Sequence, residues 1–490
     1  MSEPQADRGT SLQRPRRGDL TEGPIFRTLL LFAVPTLLSN SLQSLNGTIN
    51  AIWVGRLIGE EALAATANAN IIMFLLSSAA FGFGMAGTVK IGQRYGANDL
   101  DGARRTMGTA MGFCFVLTVL IAATGWAITP WLLRILSTPG DVYQLALDYL
   151  RMIFLSMPVV MVSIILTMGL RGTGDSRTPL IFMVVTVALH TVLNPLLIMG
   201  YGPFPEYGIA GSALSMAASS AVSLIGMVVY VYVKDLPLRL RGAELDYLKP
   251  RSDELGFILA KGFPMGAQMA VMSAAGLIIV SLVNQEGMLT TAAYGAAMQV
   301  FTYIQMPAMA IGGAISAMAA QFIGARQWDR LNELSRAGLV TNALMTGALT
   351  VVVLLFDRPI LELFMGADSP AVPMAQHIQV IVAWNFVFFG MTMVLNGTMR
   401  AGGVVWVPLF ILVFTLYPVR LGFYYIAYPA LAADAIWLSF PVAAFSSLAL
   451  TAWVYYASQW REKAKAETSY EAAEQANAEG DPAGRTNPSL

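Results

Sequence analysis

The chain is 490 residues long, 56% hydrophobic and only 12% charged, against roughly 25% charged in an ordinary soluble domain; it reads as an integral membrane protein. Its 30 basic and 30 acidic residues cancel, which leaves no bulk attraction for nucleic acid. One cysteine, Cys114, and two histidines exclude a disulfide framework and a Cys- or His-rich metal site, so a redox or zinc enzyme is set aside and no cofactor is expected.

A helix needs about 20 mostly apolar residues to cross the hydrocarbon. Twelve such stretches follow one another, near 28-52, 62-86, 107-128, 142-168, 178-199, 209-233, 256-284, 291-317, 337-356, 372-396, 404-426 and 431-457. The expected class is therefore all-α, with twelve transmembrane helices. Arg14, Arg16 and Arg17 before the first span imitate a secretory signal. The apolar run that follows outlasts a signal's 7–15 residues and has no small-residue cleavage site, so an uncleaved first helix is expected. Residues 1-24 and 461-490 are polar and read as disordered tails. The Asn-Gly-Thr sequons at Asn46 and Asn396 fall in or beside apolar spans and are not read as glycosylation sites.

Cytoplasmic loops are enriched in Lys and Arg. Of the 30 basic residues, 25 fall on the side that carries both tails and the even-numbered loops, three (Arg56, Arg134, Arg358) on the other, and two (Arg151, Arg420) inside predicted helices. Both termini are expected in the cytoplasm of a cell whose inner membrane the protein crosses.

The two halves repeat. Pro35 meets Pro264, Arg171 meets Arg400, Gly174 meets Gly403 and Pro179 meets Pro408 at an offset of 229, while Gln93 and Gly96 meet Gln321 and Gly324 at 228. Six spans per copy give two parallel six-helix repeats, an arrangement found among secondary transporters with sites between the repeats. The expected division is a 25-234 amino-terminal lobe, a 235-255 cytoplasmic linker and a 256-460 carboxy-terminal lobe.

Five pieces now carry a resemblance: "NAIWVGRLIGEEALAA" (Asn50 to Ala65), "GQRYGANDLDGARR" (Gly92 to Arg105), "LRGTGDSRTP" (Leu170 to Pro179), "LNPLLIMG" with "GIAGSALS" (Leu193 to Ser215), and "AAYGAAMQV" through "GAR" in the second half. Singly weak, in this order they are specific, and from about residue 25 to 457 the chain resembles the MATE (multidrug and toxic compound extrusion) transporters. The resemblance implies a V-shaped antiporter exporting amphipathic or cationic small molecules in exchange for protons or sodium ions by alternating access, a multidrug (xenobiotic) efflux protein rather than an enzyme, working as a monomer without ATP use. No Walker A pattern is present. Two rival classes are a lipid-linked oligosaccharide flippase of the same superfamily, which deep Lys or Arg in a lipid-accessible cavity would favour, and a non-coupled channel or scaffold.

An ionisable or strongly polar group at membrane depth is a functional candidate. On the first helix Asn40, Gln43, Asn46 and Asn50 share one face, the second adds Asn68 and Asn70, and the fifth brings His190 and Asn194 one turn apart. These form either a polar pocket or interhelical hydrogen bonds. Many relatives carry Asp where this chain has Asn50 and Asn194, and an amide cannot exchange a proton near neutral pH. His190, with an ordinary pKa of about 6.5, is the candidate proton switch, with Asn194, Asn50, Asn46 and Gln43 around it; a purely structural histidine is the alternative.

The second half offers Met265, Met269 and Met272 beside Gln268, then Met298 and Gln299, then Phe386 and Phe389. Methionine adapts to irregular ligands and aromatic faces attract cations, which makes these candidate substrate contacts, or else ordinary packing. Pro35 and Pro264, inside helices, are candidate hinges or static kinks.

Overall fold

The computed structural model describes residues 18–135, 140–202, 205–366 and 369–466. The side chains at 64, 67, 68, 70–72, 74–76 and 141 lie outside the description, Asn68 and Asn70 among them, as do the expected tails at 1–17 and 467–490.

The first half comprises α1 (Ile25–Leu57), α2 (Glu60–Gly96), α3 (Leu100–Ile135), α4 (Gly140–Gly172), α5 (Arg177–Met199) and α6 (Ile209–Val233). A 3₁₀ turn (Gly242–Leu248) precedes α7 (Ser252–Gln285), α8 (Met288–Gly324), α9 (Trp328–Leu355) and the short α10 (Asp357–Met365). The tenth crossing is split into α11 (Val372–Val382) and α12 (Asn385–Ala401). The eleventh is α13 (Trp406–Phe414), a π turn (Thr415–Val419) and α14 (Arg420–Leu431); α15 (Asp434–Ala457) closes the bundle. No strand occurs among the described residues. Eleven stretches there are long and apolar enough to cross a bilayer, and α2, 37 residues packed along α4 and α7, makes the twelfth crossing.

Several helices outrun the apolar stretches that mark them. At 1.5 Å per residue, 37 residues in α2 and 37 in α8 reach about 55 Å, well beyond a hydrocarbon core of about 30 Å. Their last turns can therefore carry glutamines and, in α2, an arginine. Those turns lie at one face, where both ends of the described chain also sit; it is called the basic face below.

The halves close on each other there, with pseudo-twofold logic. Gln93 of α2 donates through Nε2 to the Ala401 carbonyl at 2.7 Å, and its counterpart Gln321 of α8 donates to the Gly172 carbonyl at 3.0 Å. Gln321 Oε1 also accepts from the Leu20 amide at 2.9 Å, which docks the segment before α1 between the halves. Gly96 abuts the Gln321 carbonyl and Gly324 abuts the Gln93 carbonyl, so closely that a Cβ on either would collide with backbone. The repeat extends to backbone conformation: positive φ recurs at Gly59 and Gly287, Asn98 and Arg326, Gly174 and Gly403.

One lock lacks a counterpart. Arg94 Nη2 meets Glu254 Oε1 at 2.5 Å, and Thr106 donates to the other carboxylate oxygen at 2.8 Å, with Glu254 4% exposed. It pins the start of α7 to α2 and α3. The stretch read as a linker is likewise docked, Arg104 pairing with Glu244 at 2.7 Å and Tyr247 donating to Asp101 at 2.7 Å. The chain also stays helical over 460–466, where the sequence suggested a tail from 461. Buried Trp460 packs on Gly402 and donates to the Tyr455 carbonyl at 3.0 Å, anchoring the polar residues that follow.

A hydrogen bond of this kind contributes about 0.5–1.5 kcal/mol net. Gln93→Ala combined with Gln321→Ala should therefore weaken basic-face closure by about 1–3 kcal/mol. In a Cys114→Ser background, spin labels at 97 and 329 should report a new, longer distance population in the double variant and not in the parent.

Candidate substrate and ion-coupling sites

Two polar sites lie at similar depth, one in each half. In the first, residues four apart on α1 and on α5 face each other, as helical spacing dictates. His190 Nδ1 lies 2.6 Å from Asn46 Oδ1, and Asn194 Nδ2 lies 3.0 Å from Asn50 Oδ1 and 3.3 Å from His190 Nε2. Asn50 further accepts from the Ser212 hydroxyl of α6 at 2.6 Å and donates to Tyr149 Oη of α4 at 3.4 Å. His190 is 1% exposed and Asn194 0%.

This arrangement selects a tautomer. An amide oxygen faces Nδ1 and an amide NH₂ faces Nε2, so a neutral ring protonated at Nδ1 satisfies both contacts. Asn194 Oδ1 is buried without a partner, an acceptor left over in an otherwise connected network. Gln43 is exposed and makes no bond to it. Tyr149 and Ser212 are members that the sequence did not single out, because a lone Tyr or Ser on a helix carries no pattern.

The second site is a cavity of about 220 Å³ within the carboxy-terminal half. Of the candidate contacts, Gln268, Met272, Met298, Phe386 and Phe389 line it. Met265, Met269 and Gln299 do not: Met265 is buried in the core, where α7 packs on α2, and Gln299 faces outward. A Met stripe at helical spacing covers more than one face, and only one faces the cavity. Tyr294, Phe301 and Phe440 complete an aromatic wall.

Arg420 also lines this cavity, at the first residue of α14. Pro418 within the π turn has no N–H to continue the α-helical ladder, and such turns re-aim the residues that follow. The guanidinium lies 3.6 Å from the centroid of Phe440, its Nε reaches Ser439 Oγ at 3.4 Å, and Nη2 has no partner. Asn396 Oδ1, also in the wall, is unpartnered too. Pro35 and Pro264 sit inside α1 and α7 toward the basic face. Glu286 accepts from Tyr428 at 2.7 Å, apart from the cavity.

The MatE family model matches twice, at residues 35–196 and 264–426, in the register of the repeat. The chain belongs to the MatE family. MATE proteins are membrane transporters of the multidrug-efflux kind. A similar relative, the probable multidrug resistance protein YoeA of Bacillus subtilis, is 34% identical over 90% of this chain and 95% of its own length. The FAD transporter of Shewanella oneidensis is 25% identical over 71% of this chain and 76% of its own. A crystal structure of a MATE transporter in complex with MaD3S superposes with a TM-score of 0.83 at 21% identity, covering 92% of this chain and 99% of that one. Within this MATE fold the first-half site is built from amides and one imidazole, and the second holds a cation.

Asn194→Leu would strip a donor from both Asn50 Oδ1 and His190 Nε2, leaving buried acceptors short at roughly 1–3 kcal/mol. Its melting midpoint in detergent should fall by a few degrees, and Ser212→Ala, which removes one of the donors to Asn50, should lower it less.

Proposed function

We propose that this MATE transporter exports amphipathic small molecules across the inner cell membrane by proton antiport, working as a monomer with both termini in the cytoplasm, and that His190 takes and releases the proton. The observation that carries the reading is the closed network of His190, Asn46, Asn194, Asn50, Ser212 and Tyr149, in which the imidazole is the one group with an ordinary pKa near neutrality. The basic residues gathered on one face support the orientation, and the names of the relatives support the substrate class: YoeA is named a probable multidrug resistance protein, and the Shewanella relative a FAD transporter.

The network offers a way for one proton to be felt at a distance. A proton on Nε2 makes that atom a donor facing the Asn194 NH₂ donor. Rotating the Asn194 amide by half a turn presents its unpartnered Oδ1 instead. Asn50 must then turn as well, giving its NH₂ to Asn194 and its Oδ1 to the Tyr149 hydroxyl, which can donate as readily as accept. Protonation thus reverses the polarity of a chain that runs from α5 through α1 to α4. Pro35 lies on α1, the helix that this reversal pulls, and acts as its hinge, Pro264 being the counterpart on α7.

Proteoliposomes loaded with an amphipathic anionic dye, 8-anilinonaphthalene-1-sulfonate, given first a pH gradient and then a sodium gradient, test the reading. Wild-type efflux should accelerate with the pH gradient, and His190→Gln should lose that acceleration while still binding the dye at equilibrium. Efflux in His190→Gln that still followed the pH gradient would remove His190 from coupling, and acceleration by sodium alone would point to the amide oxygens as cation ligands.

A further inference from the structure

We infer that the carboxy-terminal cavity is built for an amphipathic anion, with Arg420 binding a carboxylate or phosphate head while the apolar body lies among Met272, Met298, Phe301, Phe386 and Phe389. The inference deepens the transport reading by giving the substrate's charge.

A cation in an apolar lobe is costly. Arginine stays protonated in proteins, so Arg420 at 7% exposure keeps a full charge out of water. Buried charges are ordinarily paired. Among the described residues no carboxylate pairs with Arg420, and no acidic side chain is among those lining the cavity. What holds the group is Phe440 beneath its face and one long bond from Nε to Ser439. Stacking occupies the face of the guanidinium and Ser439 takes Nε, while Nη2 is buried without any partner. A guanidinium with an unpartnered amino group keeps a charge-assisted hydrogen bond to offer an oxyanion.

A packing role alone accounts for this poorly. A side chain whose purpose was to fill the space between α14 and α15 would be less costly as an apolar residue of similar volume. Arg420 lines the cavity, and the remaining wall is aromatic, aliphatic, thioether, amide and hydroxyl, with no carboxylate in it. A ligand with an ammonium head would meet the Arg420 charge with no carboxylate to offset it. A ligand with an anionic head would neutralise the lobe. Depth agrees, because Arg420 stands 14 residues into a crossing that begins at Trp406, about 21 Å from the basic face at helical rise, within the hydrocarbon.

The test uses the full-length protein in nanodiscs with three probes that share a naphthalene body: 2-naphthylacetate, 2-naphthyl phosphate and (2-naphthylmethyl)trimethylammonium. Binding is measured calorimetrically without any ion gradient. Wild-type should prefer at least one of the two anions over the ammonium probe by tenfold or more, and which anion wins identifies the head group. Arg420→Gln should weaken the preferred anion roughly 30-fold or more, as for truncating one partner of a buried, hydrogen-bonded charge pair, and leave the ammonium probe unchanged or tighter. Arg420→Lys should restore part of the anion affinity, which separates lost charge from lost folding. Equal or tighter binding of the ammonium probe by wild-type, or an Arg420→Gln protein that binds the anions as wild-type does, overturns the inference. Because no gradient is applied, loss of proton coupling leaves these binding results standing, and an unselective cavity leaves the His190 assay standing.

Discussion

In hydrocarbon a polar side chain has no solvent to satisfy it, so each one must be completed by another part of the protein or by something the protein binds. The two halves of this MATE transporter meet that constraint in opposite ways. In the first, amides, hydroxyls and one imidazole complete each other almost entirely, and a single oxygen, Asn194 Oδ1, is left over. In the second, a guanidinium stands beside a cavity with its charge unanswered. The first is a network able to rearrange within itself; the second is a site that something else completes.

The contrast is sharper because the halves descend from one pattern. At the repeat offset of 229, His190 corresponds to Val419 and Thr191 to Arg420, so the imidazole and the guanidinium occupy neighbouring places in the same crossing of each copy. Local backbone explains why one position serves different ends. The α5 helix runs unbroken past His190, keeping it four residues from Asn194 and on the face toward α1. Its counterpart is interrupted by Pro418 and a π turn, which shifts the face that the next helix presents. Duplication preserved the gate and diverged at the sites: Gln93 and Gln321 keep the same partners in each copy, while Arg94–Glu254 joins the halves at one position only.

Much of this was legible in the sequence, and the reasons are physical. Twelve apolar stretches, the 229 register and the uneven Lys and Arg mark crossings and symmetry because the bilayer imposes a length and a polarity on every helix. The Asn46–Asn50 and His190–Asn194 pairs were visible because residues four apart share a face. Helix ends were not, since α2 and α8 continue past the hydrocarbon on polar residues held by the opposite half. The split after Val382 was hidden inside one apolar run. Arg420 stood in plain view within a predicted helix, yet its meaning depends on what does not face it, and the absence of a counter-charge is a property of neighbours far along the chain. The sequence-level clue was Pro418 two residues before a membrane arginine, a proline that breaks the ladder beside a charge that needs placing.

Charge in the two sites bears on what drives a transport cycle. An exporter that exchanges a monovalent organic cation for one proton moves no net charge, and only the pH difference drives it. With an anion on Arg420 and a proton taken up by the His190 network, the two movements no longer cancel: negative charge leaves as positive charge enters. Each charge is worth about 2.3 kcal/mol per 100 mV of membrane potential, so such a cycle draws about twice that from an inside-negative potential before any pH difference is counted. A single imidazole in place of a carboxylate pair is then sufficient, because the proton need supply only part of the driving force and can act chiefly as the trigger that reverses the Tyr149–Asn50–Asn194 chain. In the proposed cycle the fixed cation of one half and the titratable ring of the other are complementary for that reason: one would hold a charge the potential helps to expel, and the other would admit a charge the potential helps to bring in.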